Sequence, residues 1–168
     1  MPENKRNILN IGCGKKIIDG AINIDIIESP EVIKHDIRQG IPFANERFDE
    51  VIADYILCQI CDPQEFKYVM NEIYRVLKIG GLLKLKVPNA RFPCVFQDPM
   101  DCRYFVKETF DYFNKDHYRF KVFNYGFEPW EIVKIEEIGQ KEDSKIKDRL
   151  YVEMRKSLTN YKVYVERV

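Results

Sequence analysis

No sign of charge predominates in this chain: lysine plus arginine number 27, and so do aspartate plus glutamate. A global field favouring nucleic acid or an anionic membrane surface is thereby excluded, and only a local basic patch could serve such a partner. Long hydrophobic runs are missing too. The apolar run that starts at Ile8 is broken by Gly12 and Gly14, and nothing approaches membrane-spanning length. Met1 to Asn7 is polar, without the apolar segment of a secretory leader. These absences lead us to expect a cytoplasmic protein with no membrane partner and with nucleic acid disfavoured. Repeats, low-complexity tracts and Gly/Ser linkers are absent as well, and the charged, turn-like run Lys141 to Arg149 reads as a solvated connection.

Cysteine is present but unpatterned. Cys13, Cys58, Cys61, Cys94 and Cys102 are odd in number and lack a secretory context, which fits reduced thiols better than a disulfide framework. Cys58 and Cys61 form a C-x-x-C, yet Cys94 and Cys102 do not repeat the spacing. Buried thiols, with no metal, are expected. With 168 residues, 45% of them apolar, the chain reads as a single domain spanning residues 1–168.

Strand candidates follow one another with short gaps: Ile8 to Ile11, Ala21 to Ile24, Val32 to Lys34, Asp49 to Asp54, Leu82 to Val87, Ile132 to Ile138 and Lys162 to Arg167. Leu150 to Met154 is a further extended piece that pairs with the last strand or leads into it. One helix is clear. Asp62 suits an N-cap, Pro63 the first helical position, and Phe66, Val69, Met70, Ile73, Val76 and Leu77 keep the 3.6-residue period up to Gly80 and Gly81. A strand, helix, strand crossover of this kind makes its flanking strands parallel. A second helix is expected over Lys107 to Asn114. The gaps Lys15 to Gly20 and Ile26 to Glu31 are too short for crossover helices. One face of the sheet is therefore expected to be thinly covered, or covered by a partner or a second copy.

The stretch ILNIGCG, Ile8 to Gly14, is an apolar strand entering a Gly-x-Gly turn, where backbone amides can approach a ligand closely. Asp25 closes INID eleven positions after Gly14, where an acid can accept hydrogen bonds from ribose hydroxyls. A nicotinamide fingerprint would need a third glycine, a helix facing pyrophosphate and an acid about 20 residues downstream. Here Lys15 and Lys16 follow Gly14, and no helix fits. A nicotinamide or nucleotide-sugar enzyme is thus the weaker alternative.

The ordered set of motifs resembles the small class I methyltransferases that depend on S-adenosylmethionine, a family often associated with glycan and cell-surface biosynthesis. The set comprises LNIGCG at Leu9 to Gly14, INID at Ile22 to Asp25, HDIR at His35 to Arg38 and GIPF at Gly40 to Phe43. It continues with RFDEVIADY at Arg47 to Tyr55, YRVLKIGG at Tyr74 to Gly81 and DPMDCRYFVKETFDYF at Asp98 to Phe113. The resemblance implies an α/β, Rossmann-like fold with a mostly parallel seven-stranded sheet in the order 3-2-1-4-5-7-6, an antiparallel last strand, and reduced helices on one face. It implies S-adenosylmethionine as cofactor. Asn10, Gly12, Cys13 and Gly14 would line its amino-acid half, and Asp25 with Ile26 the ribose. Asp36 and the backbone of Ile37 would meet the adenine, with Asp54 and Tyr55 near the sulfonium. Strand-end aspartates also cap turns, which is the plain alternative for Asp25 and Asp36.

The acceptor side departs from the family, which has glutamate-histidine at Cys58 and Gln59 and a histidine at Asp101. Both changes remove an imidazole. Asp101, Asp98, Tyr104 and His117 remain as candidate bases, although Asp98 before Pro99 also suits a turn and His117 a surface position after a helix. Asp54-Tyr55-Ile56 lacks the paired prolines of enzymes that methylate nucleic-acid amines. The expected reaction is methyl transfer to a small-molecule or glycan acceptor, at oxygen. The alternative is a catalytically degenerate cofactor-binding domain acting as a partner subunit.

Overall fold

The computed structural model describes residues 6–139, 141 and 144–157. One sheet contains seven strands: β1 Ile8–Ile11, β2 Ile22–Asp25, β3 Ile33–Lys34, β4 Phe48–Asp54, β5 Leu77–Pro88, β6 Trp130–Ile138 and β7 Arg149–Lys156. Their order is β3-β2-β1-β4-β5-β7-β6, with β3 through β5 paired in parallel and β7 antiparallel to both its neighbours. This is the expected order. The reversed strand, however, is the Leu150 to Met154 piece, while Lys162 to Arg167 lies outside the described residues. Leu150, Val152 and Met154 are fully buried and stand opposite Val87, Leu85 and Leu83 of β5. That apolar zip is what places β7 in the sheet interior.

The crossover from β4 to β5 contains α1, Pro63–Val76. Asp62 Oδ1 accepts from Gln64 N at 2.8 Å and Glu65 N at 2.9 Å, satisfying two of the free amides at the helix start. Phe66, Val69, Met70, Ile73 and Val76 form its buried face. Burial of each contributes about 1.5–3 kcal/mol. The helix stops at Val76, earlier than the glycines suggested. Leu77 turns extended and pairs with Phe48 because both side chains are fully buried in the core, so Gly80 and Gly81 lie within a bulged start of β5. The expected second helix is a short 3₁₀ helix at Lys107–Tyr112, and α2, Tyr118–Phe123, follows it.

The face lacking crossover helices is charged, not apolar. Along β5 the side chains of Leu83, Leu85 and Val87 are buried, while Lys84 and Lys86 between them point the other way and are only half-buried. On that second face Lys84 pairs with Glu50 at 2.8 Å, Lys86 with Asp54 at 3.2 Å and Arg155 with Glu131 at 3.0 Å. Ion pairs thus stand where a helix layer would have demanded apolar side chains. The motif alternation LLKLKV already encodes this one-sided burial.

A pair on α1 fastens the connection between β3 and β4. Glu72 accepts from Ile41 N at 2.8 Å and is bridged by the Arg75 guanidinium at 2.7 Å, and Arg75 also donates to the carbonyls of Ile41 and Phe43 at 2.8 Å. The Arg75 hydrogen bond, above all, holds the Glu72 carboxyl below its ordinary pKa. A group depressed in the folded state stabilises it above the ordinary glutamate value, about 4.3, and loses that stabilisation as pH falls through the folded value. Glu72→Gln is therefore expected to lower stability by about 1–3 kcal/mol at neutral pH. It should also flatten the acid limb of the stability curve below about pH 4. Urea titrations of both proteins at several pH values check this, and parallel acid limbs would refute it.

Candidate active site

At the carboxyl ends of β1, β2 and β4 two cavities meet at Gly12. The first, about 180 Å³, is lined by Asp25, Ile26, His35, Asp36, Ile37, Arg38, Ile56, Gln59, Ile60 and Met100 as well as Gly12. The second, about 500 Å³, is lined by Asn10, Gly12, Cys13, Lys15, Lys16, Asp54, Tyr55, Lys86 and Arg149, together with Ile138 and Gly139. All the residues expected to hold a cofactor line one or the other except Gly14, which lies between Cys13 and Lys15.

The glycine turn is built around Asp25. Its Oδ2 accepts from Gly14 N at 2.8 Å and its Oδ1 from Ile27 N at 2.9 Å, and the residue is nearly buried. A carboxylate oxygen has a second lone pair, so these bonds position Asp25 without exhausting it. Gly12 adopts a φ of +59°, and an added Cβ there would lie 2.5 Å from the Ile56 side chain. Gly14 adopts +51°, and an added Cβ would meet nothing within 4 Å. Asn10 donates to Lys16 O and to Asn23 Oδ1, both at 2.9 Å, which pins the far side of the turn. Burial pushes the Cys13 thiol up, with Asp25 adding to the effect.

Asp36 caps the 3₁₀ helix Ile37–Gln39 through Arg38 N at 3.0 Å. Its carboxylate is also clamped by the Arg38 side chain, with Nη2 to Oδ2 at 2.7 Å, and that hydrogen bond lowers its pKa. The turn-capping role and the cavity-lining role coexist in this residue. Beside it, Ile26 and Met100 are 61% and 67% exposed at the cavity wall, a placement apolar side chains accept at a cost unless a flat group covers them.

The second cavity opens onto the charged face of the sheet. Asp54 is held by Lys16 and by Lys86, which stands directly opposite it in the ladder. Tyr55 follows at a φ of +62°, a strained value for a non-glycine residue, stabilised by its amide donating to Lys86 O at 2.8 Å. The Arg149 guanidinium lies 5.3 Å from the centre of the Tyr55 ring. Burial raises the pKa of the Tyr55 phenol.

None of Asp98, Asp101, Tyr104 or His117 lines either cavity. Asp98 Oδ1 accepts from Met100 N at 2.9 Å, closing a turn. Asp101 N donates to Asp98 O in the same turn, and the Asp101 carboxylate faces Cys58, whose thiol is pushed up chiefly by burial. Tyr104 stacks at a tilt on Phe96, and His117 caps α2 through Arg119 N. Sequence reasoning passed over Lys86 and Arg149 and used Lys15 and Lys16 only to argue against a dinucleotide. The alternation in β5, which puts Lys86 opposite Asp54, was the available signal.

The expectation of five reduced thiols is corrected: Cys61 and Cys102 are joined in a disulfide, with Cα atoms 5.4 Å apart. The chain returns to this point because Cys102 N and Arg103 N both donate to Cys58 O at 3.0 Å. Cys13, Cys58 and Cys94 are free.

A family model described as a hypothetical methyltransferase matches residues 2–155. The chain belongs to this methyltransferase family. No curated protein sequence matches the methyltransferase closely enough to add a relative. Among solved structures it resembles an S-adenosylmethionine-dependent methyltransferase from Methanosarcina mazei, at 18% identity and a TM-score of 0.66, over 94% of this chain and 95% of that one. It also resembles the protein bound to the Haloferax volcanii Trm112 methyltransferase activator, at 14% identity and a TM-score of 0.61, over 94% and 85% of the two chains. The N-methyltransferase NodS of Bradyrhizobium japonicum, solved with S-adenosylhomocysteine, matches at 16% identity and a TM-score of 0.57, over 89% and 77%. These likenesses are of fold. Family and fold together make S-adenosylmethionine the cofactor of this methyltransferase. The residues present fit it, since the open space at Gly14, the uncovered Ile26 and Met100, and the carboxylates of Asp25 and Asp36 suit a nucleoside with a zwitterionic tail. Among the described residues no helix is long and apolar enough to cross a membrane, and no cluster of metal-ligating side chains occurs.

The disulfide bears on this site. It ties the turn carrying Met100 to the segment carrying Gln59 and Ile60, three residues of one cavity wall. Cys102→Ser is expected to weaken S-adenosylhomocysteine binding about 3–10-fold through loosening of that wall. Calorimetric titration of the variant and the parent checks it, and equal affinities would show that the wall stands without the bond.

Proposed function

We propose that this methyltransferase, as one domain over residues 1–168, binds S-adenosylmethionine across the two cavities and methylates a small-molecule or glycan acceptor at oxygen. The observation that carries the reading is the meeting of an acid-and-apolar cavity with a polar one at Gly12. Asp25 would hold the ribose diol, with Ile26 beside it, while Asp36 and the Ile37 amide would hold the adenine edge between Ile26 and Met100. Asn10, Gly12, Cys13 and Gly14 would shape the place of the amino-acid half, and Asp54 and Tyr55 would face the reacting end. The cofactor, when bound, supplies a methyl group on sulfonium for in-line displacement. The protein's part is alignment of the acceptor and exclusion of water. Asp98, Asp101 and Tyr104 lie off the cavity walls, and Asp54, the carboxylate at the reacting end, is engaged by Lys16 and Lys86, so positioning supplies most of the rate.

Calorimetry with S-adenosylhomocysteine tests the cofactor half, and no binding up to millimolar concentration by folded protein would refute it. Transfer of labelled methyl to the small-molecule or glycan fraction of a cell extract tests the acceptor half. The displaced carboxylates also favour a second reading, a cofactor-binding partner subunit. Cofactor binding with no labelled product in any fraction would select that reading.

A further inference from the structure

Once the cofactor is assigned, the second cavity is too large and too positive for what remains. The bulkier adenosine half takes the cavity of about 180 Å³, and the smaller amino-acid half opens into one of about 500 Å³. The surplus is room for an acceptor. Among the described residues four cationic side chains, Lys15, Lys16, Lys86 and Arg149, face this space against a single carboxylate, Asp54. Asp54 engages Lys16 and Lys86. Lys15 makes no ion pair among the described residues. Among the described residues Arg149 pairs only with the buried Asp148, 3.9 Å away. S-adenosylmethionine adds a sulfonium, an ammonium and a carboxylate, a net positive charge, so it cannot neutralise the excess. Its carboxylate can engage one cation and Asp54 is shared between Lys16 and Lys86, so the side chains lining the space keep an excess of positive charge.

We infer that the acceptor carries a phosphate group, held at the open face of the sheet by Lys15 of the glycine turn, Lys86 of β5 and Arg149 of β7. The inference rests on the methyltransferase reading proposed above. Three cations from three separate elements converge on one space, the arrangement that suits a dianion with several acceptor oxygens better than a single carboxylate. Arg149, held against the Tyr55 ring, keeps its planar fork in a fixed orientation, which favours bidentate contact with phosphate. The site exists because no helix follows β1. The short Lys15 to Gly20 connection leaves this corner of the sheet uncovered, and the space is lined by charge instead.

The test titrates glucose 6-phosphate, inorganic phosphate, glucuronate and glucose into protein saturated with S-adenosylhomocysteine, at constant ionic strength. The two phosphates are expected to bind at least tenfold more tightly than glucose or glucuronate. The double variant Lys15→Gln/Arg149→Gln should lose at least tenfold in phosphate affinity while S-adenosylhomocysteine affinity changes less than threefold. A Lys15→Arg/Arg149→Lys variant should recover part of the loss, which separates charge from folding. Phosphate binding absent in the saturated protein, or phosphate competing with S-adenosylhomocysteine, would overturn the inference, the latter by showing that the cations serve the cofactor's own carboxylate. Preference for glucuronate would overturn the phosphate assignment. Failure of folded protein to bind S-adenosylhomocysteine at all would instead bring down the cofactor reading, and the inference with it.

Discussion

Gly12→Val will abolish measurable S-adenosylhomocysteine binding and destabilise the protein by about 2–5 kcal/mol. Two costs add. The backbone at Gly12 has a φ of +59°, where a β-branched residue pays a steric penalty of about 1–2 kcal/mol. A Cβ would also sit 2.5, 2.6 and 2.8 Å from Cγ1, Cβ and Cδ1 of Ile56, inside van der Waals contact. Ile56 cannot retreat cheaply, since Leu57 and Cys58 next to it are fully buried. Overpacking of this kind costs about 1–3 kcal/mol. Because Gly12 and Ile56 both line the smaller cavity, the same clash narrows the junction of the two cavities. Gly14→Ala is the control. Its Cβ would meet nothing within 4 Å, so only the backbone strain of about 1–2 kcal/mol remains for stability. Denaturant titration and calorimetry on both variants give the comparison, and a Gly12→Val protein that binds within threefold of the parent would refute the placement of the cofactor.

Asp25→Ala is expected to lower S-adenosylhomocysteine affinity by about 100-fold or more, the effect of losing a charge-assisted contact together with the turn that it organises. The carboxylate binds Gly14 N and Ile27 N, so its removal leaves both amides without that partner and frees the glycine turn. Both residues are exposed, so water takes over the amides and each lost bond costs about 0.5–1.5 kcal/mol of stability. Asp25→Asn keeps one accepting oxygen and should fall between the two proteins. Affinity and thermal stability measured together separate the parts: if affinity is unchanged while stability falls, Asp25 only caps the turn and the ribose assignment is wrong.

The motifs that line the two cavities were legible along the chain because their parts are local. A strand entering Gly-x-Gly, an acid ending the next strand, and Asp62-Pro63 opening a helix each depend on backbone chemistry within a few residues. The apolar periods of β1, β4 and α1 reported their own burial. Other features depended on partners far away in sequence. The helix before β5 ends at Val76 because Leu77 finds Phe48, and Cys102 meets Cys61 only because the chain folds back onto Cys58. Glu72 and Arg75 hold a connection some 30 residues upstream, which no helical period could announce.

The same division separates the two cavities. The resemblance that the motifs carry implies an S-adenosylmethionine site, and it could be read along the chain because Gly12, Asp25 and Asp36 occupy positions fixed by short-range turns. Tertiary structure alone brings Lys15, Lys86 and Arg149 around one space, and moves Asp98, Asp101 and Tyr104 off its walls. Backbone conformation is settled over a handful of residues, whereas the charge and volume of a cavity are set by side chains that meet only when separate strands align.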